Sequence, residues 1–300
     1  MNLFPALPAL ILSGFAGAFF SSGYKAMAQL DHRYKPFVSL YSLAFSLFTA
    51  IGVLLIRGTL ADSMLWLFGI PHGVVTCLAI LFYAGIIGNV RLSISWTIIQ
   101  FSILIPLAVS LIFFETDLNL LAVAGCAFMV LAIIIFSLGK KGASPAEESP
   151  RLTFKNGLLL FTSSLFTGIA FTIPMIYLKA AERSQPLSLL FISAIASLLT
   201  SLWFVRKEDW SYIMSDWRIA GIPTAMGFLQ MANWSLLMIG LQGIGGSVAY
   251  SLNGVVGLAC VYGISFSFFK EHVSPIEKIG ILVSIIAILL MTASLYANAP

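Results

Sequence analysis

Long runs of apolar residues, separated by short polar breaks, dominate the hydropathy pattern of this chain. Each run has about 20 residues, the length that an α-helix needs to cross a bilayer. Because the runs are continuous and do not alternate with polar positions, they predict helices and not the strands of a membrane barrel. The pattern predicts ten spans, at residues 4–22, 37–56, 73–90, 93–114, 118–138, 156–178, 187–205, 219–239, 247–269 and 276–296.

The composition leads to the same class of protein. Of the 300 residues, 59% are hydrophobic and only 9% are charged, and the mean hydropathy is +0.99. Soluble domains carry about a quarter charged residues. We therefore predict an all-α integral membrane protein in contact with the lipid bilayer. The basic residues lie in loops between spans, so the net charge of +4 indicates no nucleic-acid partner. The three cysteines lie inside apolar runs and are predicted to be small buried residues.

The stretch from residue 93 to 138 is repeated in the second half of the chain, from residue 247 onward. Both copies have an aromatic residue near the start of an apolar helix, then a break that contains glutamate, then an apolar helix that opens on glycine. The corresponding residues are Ser93 and Ser247, Trp96 and Tyr250, Glu115 and Glu271, and Gly125 and Gly280. The copies lie about 155 residues apart, half of the chain, which indicates an internal duplication.

A polar linker at residues 139–155 divides the ten spans into five and five. It contains the only stretch with the Gly, Ser, Pro and charge content of solvated chain. We therefore predict a first five-helix repeat at residues 1–138 and a second at residues 156–300. Because five is an odd number, the second repeat enters the membrane from the opposite side to the first. Inverted repeats of this kind are typical of transporters.

The distribution of Lys and Arg among the loops predicts the orientation of the chain. Thirteen of the 16 lie on the side of the membrane that also carries the central linker. The linker is therefore predicted to be cytoplasmic, with both termini on the outer side of the plasma (inner) membrane. The N-terminus has no positive leader, so we interpret it as the start of the first span and not as a removable signal.

The repeated order of an apolar helix, a terminal glutamate, a polar break and a glycine-opened helix resembles the drug/metabolite transporter (DMT) superfamily, in its ten-helix form made of two EamA-type repeats. Glu115 and Glu271 occupy the positions where such repeats usually carry glutamate. The resemblance implies a carrier that moves small organic solutes by alternating access. It also implies that the substrate lies in a central cavity between the two repeats.

A carrier of this kind needs polar groups near the middle of the membrane that face its cavity, because a polar side chain that faces lipid stays unsatisfied. Three spans have polar or aromatic pairs at helical spacing, which places each pair on one helix face. These predicted substrate-binding residues are Trp96 and Gln100, Tyr250 and Asn253, and Gln230 and Asn233, with Trp234 beside the last pair. The alternative is that the amides join helices and the aromatic rings anchor at the membrane interface.

Tyr24, Lys25 and Tyr83 are further candidates for substrate binding. Lys25 would meet an anionic or hydroxylated solute, but we favour the interpretation that its side chain extends to the cytoplasmic interface. Glu115 and Glu271 lie at span ends. For these two we favour bonds to helix termini or neighbouring loops over a role in coupling.

No Asp or Glu lies in the middle of a predicted span, so the buried carboxylate that many proton-coupled carriers use is missing. We therefore predict facilitated or exchange transport, or coupling through other groups. Amides and aromatic rings without a strongly charged centre fit a neutral or zwitterionic metabolite, such as an amino acid or a sugar, better than a phosphorylated anion. We expect no cofactor and no metal, and a monomer or a weak homodimer.

A channel, a non-transporting scaffold or receptor, and an intramembrane enzyme are the alternatives. The sequence has no filter-like segment or ring of charges that would indicate a channel. It has no HExxH or GxSxG motif, and its histidines, His32, His72 and His272, are predicted in loops or at span ends. The chain is therefore not expected to be an enzyme. A scaffold would not require an inverted duplication, although it could inherit one from a carrier.

Overall fold

A computed structural model describes residues 3–30, 33–113, 120–138, 153–181, 184–206, 208–209, 220–244, 246–271 and 275–297. Most of these residues are helical, and there is no strand among them. The helices are α1 (Leu3–Gln29), α2 (Tyr34–Leu55), α3 (Ser63–Ala84), α4 (Leu92–Gln100), α5 (Leu104–Phe113), α6 (Leu120–Leu138), α7 (Phe154–Ala180), α8 (Pro186–Phe204), α9 (Gly221–Ile244), α10 (Gly246–Ser267) and α11 (Pro275–Ala297). Glu115, His32, His272 and residues 139–152 of the predicted linker lie outside the described residues.

Seven of the described helical segments are long and apolar enough to cross a membrane, by length and composition. They are α1, α2, α3, the α4–α5 segment, α7, α8 and α9. Large apolar side chains cover the outside of the bundle: Leu54, Leu55 and Trp203 are 77%, 79% and 88% exposed. Such an apolar exterior is unusual for a protein in water and fits a lipid environment. The fold is thus that of a multi-pass helical membrane protein.

Several of the predicted spans differ from the structure. The first span was predicted to end at residue 22, but α1 continues to Gln29. The third span was predicted to begin at residue 73, but α3 begins at Ser63, where the Asp62 side chain accepts a hydrogen bond from the Met64 amide (2.9 Å). This contact caps the helix N-terminus. The helix continues through Pro71, so His72 lies inside it. The prediction that His72 lies in a loop or at a span end is wrong.

The fourth predicted span is divided into α4 and α5 by a short 3₁₀ turn at Phe101–Ile103. Pro106 follows this turn in the sequence. A proline has no amide hydrogen and its ring crowds the carbonyl four residues earlier, here that of Ser102. A tighter turn is a common response to such a conflict. The break positions the C-terminal residue of α4, Gln100, directly beside the turn.

Helices from the two halves of the chain pack against each other throughout the bundle. The contacts are α1 with α9 and α10, α3 with α7 and α8, α2 with α8 and α9, α4 with α7 and α10, and α6 with α11. Glycine allows the closest of these approaches. A Cβ atom at Gly14 would lie 2.7 Å from the Val256 Cβ and 2.9 Å from the Asn253 carbonyl oxygen. The α1–α10 contact therefore requires glycine at this position.

Candidate functional site

A cavity lies in the middle of the bundle. It is lined by α1, α3, α4, α7, α9 and α10, and thus by helices from both halves of the chain. Six aromatic side chains contribute to its wall: Phe20, Tyr24, Tyr83, Trp96, Phe171 and Trp234.

Seven of the nine residues that the sequence predicted to bind substrate line this cavity. They are Tyr24, Tyr83, Trp96, Gln100, Gln230, Asn233 and Asn253. They come from five different helices. The sequence alone predicts which residues share a helix face, but it does not predict that these faces meet. The remaining two, Tyr250 and Lys25, lie outside the lining.

The amide of Gln100 lies at the contact between α4 and α10. Its Nε2 donates to the carbonyl oxygen of Gly254 (3.3 Å). Gly257, one turn further along α10, has no side chain to fill the adjacent space. A Cβ there would lie 3.6 Å from Gln100 Nε2 and 3.7 Å from Trp96 Nε1. Because Gly257 has no side chain, the Gln100 amide nitrogen and the Trp96 indole nitrogen are not covered from this side.

The amide of Asn233 is held by the facing helix α1. Ser13 Oγ lies 2.9 Å from Asn233 Oδ1 and 2.9 Å from the Asn233 carbonyl oxygen, and it donates to this pair of acceptors. A Cβ at Gly17 would lie 3.2 Å from Asn233 Oδ1. One Asn233 oxygen is thus fixed by Ser13, and glycine on α1 leaves room for the amide.

Unpartnered polar atoms are concentrated at the cavity. Among the described residues, seven cavity-lining side chains have a buried nitrogen or oxygen without a hydrogen-bond partner. These atoms are Tyr24 OH, Thr76 Oγ1, Tyr83 OH, Trp96 Nε1, Gln230 Oε1, Trp234 Nε1 and Asn253 Oδ1. A buried polar group without a partner is costly and rare in native proteins. Their convergence on one space indicates a site whose donors and acceptors are available to a polar ligand.

None of the described residues that line the cavity is an Asp, Glu, Lys or Arg. The lining instead combines indole N–H donors, hydroxyl groups and amide oxygens with aromatic rings. A site of this kind can form hydrogen bonds to neutral groups and can stack on flat or apolar parts of a ligand. It offers no counter-charge to a phosphorylated anion.

Tyr250 lies behind the cavity wall, which differs from the prediction. Its ring packs against Phe171 with centroids 5.0 Å apart, and its hydroxyl donates to the Phe171 carbonyl oxygen. Phe171 itself lines the cavity. Tyr250 therefore supports a lining residue from α7, and its own hydroxyl is already used.

Lys25 is buried and does not extend to an interface, so the favoured interpretation of this residue is wrong. Its Nζ lies 3.3 Å from Glu271 Oε1 and donates to the carbonyl oxygen of Val90 (2.8 Å). Glu271 also accepts from the Leu92 amide (2.9 Å) at the N-terminus of α4. The expected bond between Glu271 and a helix terminus is therefore present.

His72 was missed as a buried polar residue. It is fully buried, with Nδ1 2.6 Å from Ser193 Oγ on α8. Its ring meets Trp234 edge-on at a centroid distance of 4.7 Å. Asp62 ahead of the apolar run was the available signal for an earlier helix start.

The contribution of α7 to the cavity was also missed. Ser163, Thr167 and Phe171 line it at intervals of four residues, which is the spacing of one helix face. This periodicity was readable in the sequence. Ser163 donates to the Ala79 carbonyl oxygen on α3 (2.8 Å), so the same residue also joins the two halves of the chain.

Metal-ligating side chains do not cluster in the described part of the chain: no group of three or more His, Cys, Asp or Glu residues is close enough to hold an ion. The two cysteines that the structure describes with their side chains, Cys77 and Cys260, are free thiols. Cys77 is fully buried in α3.

Comparison with known proteins gives a fold but no family. No protein-family model matches the chain, and no curated protein matches it. A solved chain described only as "Crystal structure of protein" is similar, with a TM-score of 0.57 and 13% sequence identity. The similarity covers 97% of this chain and 99% of the solved one. Such a low identity shows shared architecture and nothing about activity.

Proposed function

We propose that this protein is a membrane carrier that moves a small organic metabolite by alternating access through the central cavity. The observation that carries the proposal is the group of seven unpartnered polar atoms in an uncharged, aromatic cavity between the two halves of the chain. A carrier must bind its solute and then release it to the other side. Groups that lack a protein partner are free to do both.

The proposed architecture is ten transmembrane helices in two inverted five-helix repeats, as in the drug/metabolite transporter superfamily with EamA-type repeats. If α4 and α5 count as one span, exchanging each span for the one five places away converts the α1–α9 contact into α7–α3. The same exchange converts α3–α8 into α9–α2, and α1–α10 into α7–α4. All of these contacts occur. This reciprocity supports an inverted duplication, in which the cavity forms where the repeats meet.

The proposed solute is neutral or zwitterionic, such as an amino acid or a sugar. The amides of Gln100, Gln230, Asn233 and Asn253 would bond its polar groups, and the indoles of Trp96 and Trp234 would donate to it while their rings stack on its apolar parts. Facilitated or exchange transport is the proposed mode. The protein would act as a monomer or a weak homodimer in the plasma (inner) membrane, with the linker cytoplasmic and both termini outside.

Uptake of labelled solutes into proteoliposomes tests the carrier proposal. A carrier shows saturation and counterflow, whereas a channel shows neither and a scaffold shows no uptake. Thermal-shift measurements with sugars, amino acids and nucleosides would select the labelled solute. A response to sugar phosphates alone would contradict the proposed solute class.

Two substitutions test the site itself. Gln100→Ala and Asn253→Ala should each reduce transport without loss of folded protein, because each removes an amide from the cavity. The matched control is Gln242→Ala, since Gln242 is an exposed amide near the end of α9 that donates to Ser184 (2.9 Å). Wild-type kinetics in both cavity variants would remove these positions from the site.

A further inference from the structure

A buried ion pair connects three of the cavity-lining helices at one end of the bundle. Lys25 belongs to α1, and Glu271 follows the C-terminus of α10. The side chains are only 8% and 9% exposed. Glu271 also contacts the N-terminus of α4, where it accepts from the Leu92 amide and from Ser93. α1, α4 and α10 each contribute to the cavity wall.

The ion pair lies directly next to the cavity. Ser93, which bonds Glu271, is three residues before Trp96, so one helical turn separates the carboxylate contact from a lining indole. On the other side of the pair, Lys25 follows the lining residue Tyr24. Its Nζ also donates to the Ile87 carbonyl oxygen (3.4 Å), one turn after the lining residue Tyr83. A movement that breaks the pair would therefore displace chain segments next to three lining residues, Tyr24, Tyr83 and Trp96.

Aromatic rings fill the space between the cavity and this end of the bundle. Tyr24 meets Tyr83 edge-on at 5.8 Å and Phe37 at 6.1 Å between centroids. Tyr41 lies 6.4 Å from Tyr24. Tyr24, Phe37 and Tyr41 are at most 1% exposed, and Tyr83 is 6% exposed. A solute that left the cavity past Tyr24 and Tyr83 would have to separate these packed rings.

We infer that Lys25 and Glu271 form the gate at this end of the cavity, an inference that rests on the proposed carrier function. In the structure the pair holds α1 and the 3₁₀ turn at Ile87–Asn89 against α4 and the end of α10. A buried ion pair suits a gate because its two charges regain hydration when water enters. A gate made of apolar side chains would instead lose stabilisation on opening. Lys25 and Glu271 act as positioning residues, since neither touches the cavity itself.

Cysteine accessibility tests the gate independently of transport. The parent protein carries Cys77→Ala, Cys126→Ala and Cys260→Ala, with a reporter introduced as Thr167→Cys on the half-buried lining face of α7. A membrane-impermeant maleimide is added to right-side-out or to inside-out vesicles, and the labelling rate is measured from each side. The labelling rate can be interpreted even if the protein transports none of the tested solutes.

Lys25→Met and Glu271→Gln should each raise the labelling rate from the Lys25 side by about tenfold, because removing one partner of a buried ion pair leaves the other charge uncompensated. The rate from the opposite side should not change. Glu271→Gln keeps an oxygen that accepts from the Leu92 amide. It removes the charge and replaces the second oxygen, which accepts from Ser93 and Ser265, with an NH2 group. The double variant leaves no unpaired charge, so its rate should lie nearer to the parent rate than either single variant.

The matched control is Arg33→Gln, which breaks an ion pair with Asp209 (3.1 Å) at the same end of the bundle. Arg33 is 54% exposed, so its loss should leave the labelling rate within about twofold of the parent. Should either gate variant fail to yield folded protein, Ser265→Ala removes one donor to Glu271 and should raise labelling from the Lys25 side.

Three outcomes would contradict the inference that Lys25 and Glu271 form a gate. They are single variants that label at the parent rate, labelling that rises equally from both sides, and a double variant whose effect equals the product of the single effects. If the wild-type protein showed no counterflow while the gate variants changed the labelling as expected, the carrier proposal would fail. The pair would then still control access to the cavity, but not as the gate of a carrier.

Discussion

The contact between α3 and α8 gives the sharpest prediction about the fold, because it requires a residue without a side chain, Gly73, where the two helices meet. A Cβ atom at this position would lie 2.8 Å from the Ala196 Cβ and closer still to the carbonyl oxygen of Ser193. Non-bonded carbon atoms prefer a separation of about 3.5–4.0 Å. Gly73→Ala must therefore move α3 and α8 apart by roughly 1 Å.

The cost follows from two opposing effects. Overpacking of this kind costs about 1–3 kcal/mol, while alanine in place of glycine inside a helix returns about 0.5–1 kcal/mol. The obstacle at Gly73 includes a backbone carbonyl, which cannot rotate away as a flexible side chain can. We therefore expect a net loss of about 2 kcal/mol. In a protein of this size that loss lowers the melting temperature by about 3 °C.

The measurement is thermal unfolding in detergent, followed with a thiol-reactive dye. Cys77 is a suitable reporter because it is fully buried in α3. The matched control is Gly263→Ala in α10, where nothing lies within 4 Å of the added Cβ. The same chemical change should there be neutral or raise the melting temperature by about 1–2 °C, since only the helix-propensity gain applies.

The two glycine substitutions should thus act in opposite directions. If Gly73→Ala melted within 1 °C of the wild type, or if both variants were destabilised equally, the close approach of α3 and α8 would be refuted. A melting temperature that falls only for Gly73→Ala would support it. The hydrogen bond between His72 and Ser193 crosses the same contact and should weaken together with it.

Three further predictions concern single sites. Ser193→Ala leaves Nδ1 of the buried His72 without its partner, and thermal unfolding should show a loss of about 1–3 kcal/mol. Gly257→Ala places a methyl group in ordinary contact with Gln100 and Trp96 beside the cavity, and uptake assays should show a reduction of about tenfold with little change in melting temperature. The Arg206 backbone amide and the Arg33 guanidinium hold the pKa of the Asp209 carboxyl below its ordinary value. Asp209 should therefore stabilise the fold above about pH 4 and lose this contribution, about 0–1 kcal/mol, as the pH falls through the lowered pKa. Asp209→Asn should remove this part of the acid dependence in melting curves recorded from pH 7 to 3.

Helical periodicity was sufficient to identify part of the candidate site. Trp96 and Gln100 share a face of α4, and Gln230 and Asn233 share a face of α9, as their spacing predicts. Both pairs line the cavity. Tyr250 shows the limit of this reasoning: spacing gives the face of a helix but not what lies in front of it, and Phe171 stands between Tyr250 and the cavity.

Charge partners were beyond the reach of the sequence. Lys25 and Glu271 are 246 positions apart, and each alone resembles an ordinary charge at the end of a span. A lysine at a span end usually reaches water. Only the packing of α1, α4 and α10 around the pair shows that neither side chain does so here.

The sequence by itself determined that this is an α-helical protein for a membrane, and it determined which helix faces carry polar groups. These properties follow from local hydropathy and from the fixed geometry of the helix, which require no knowledge of the neighbours. Tertiary structure alone decided that polar atoms from helices far apart in the chain meet in one cavity. It also decided that Lys25 and His72 are buried against partners from other parts of the chain, because partners and burial depend on long-range packing that residue spacing does not encode.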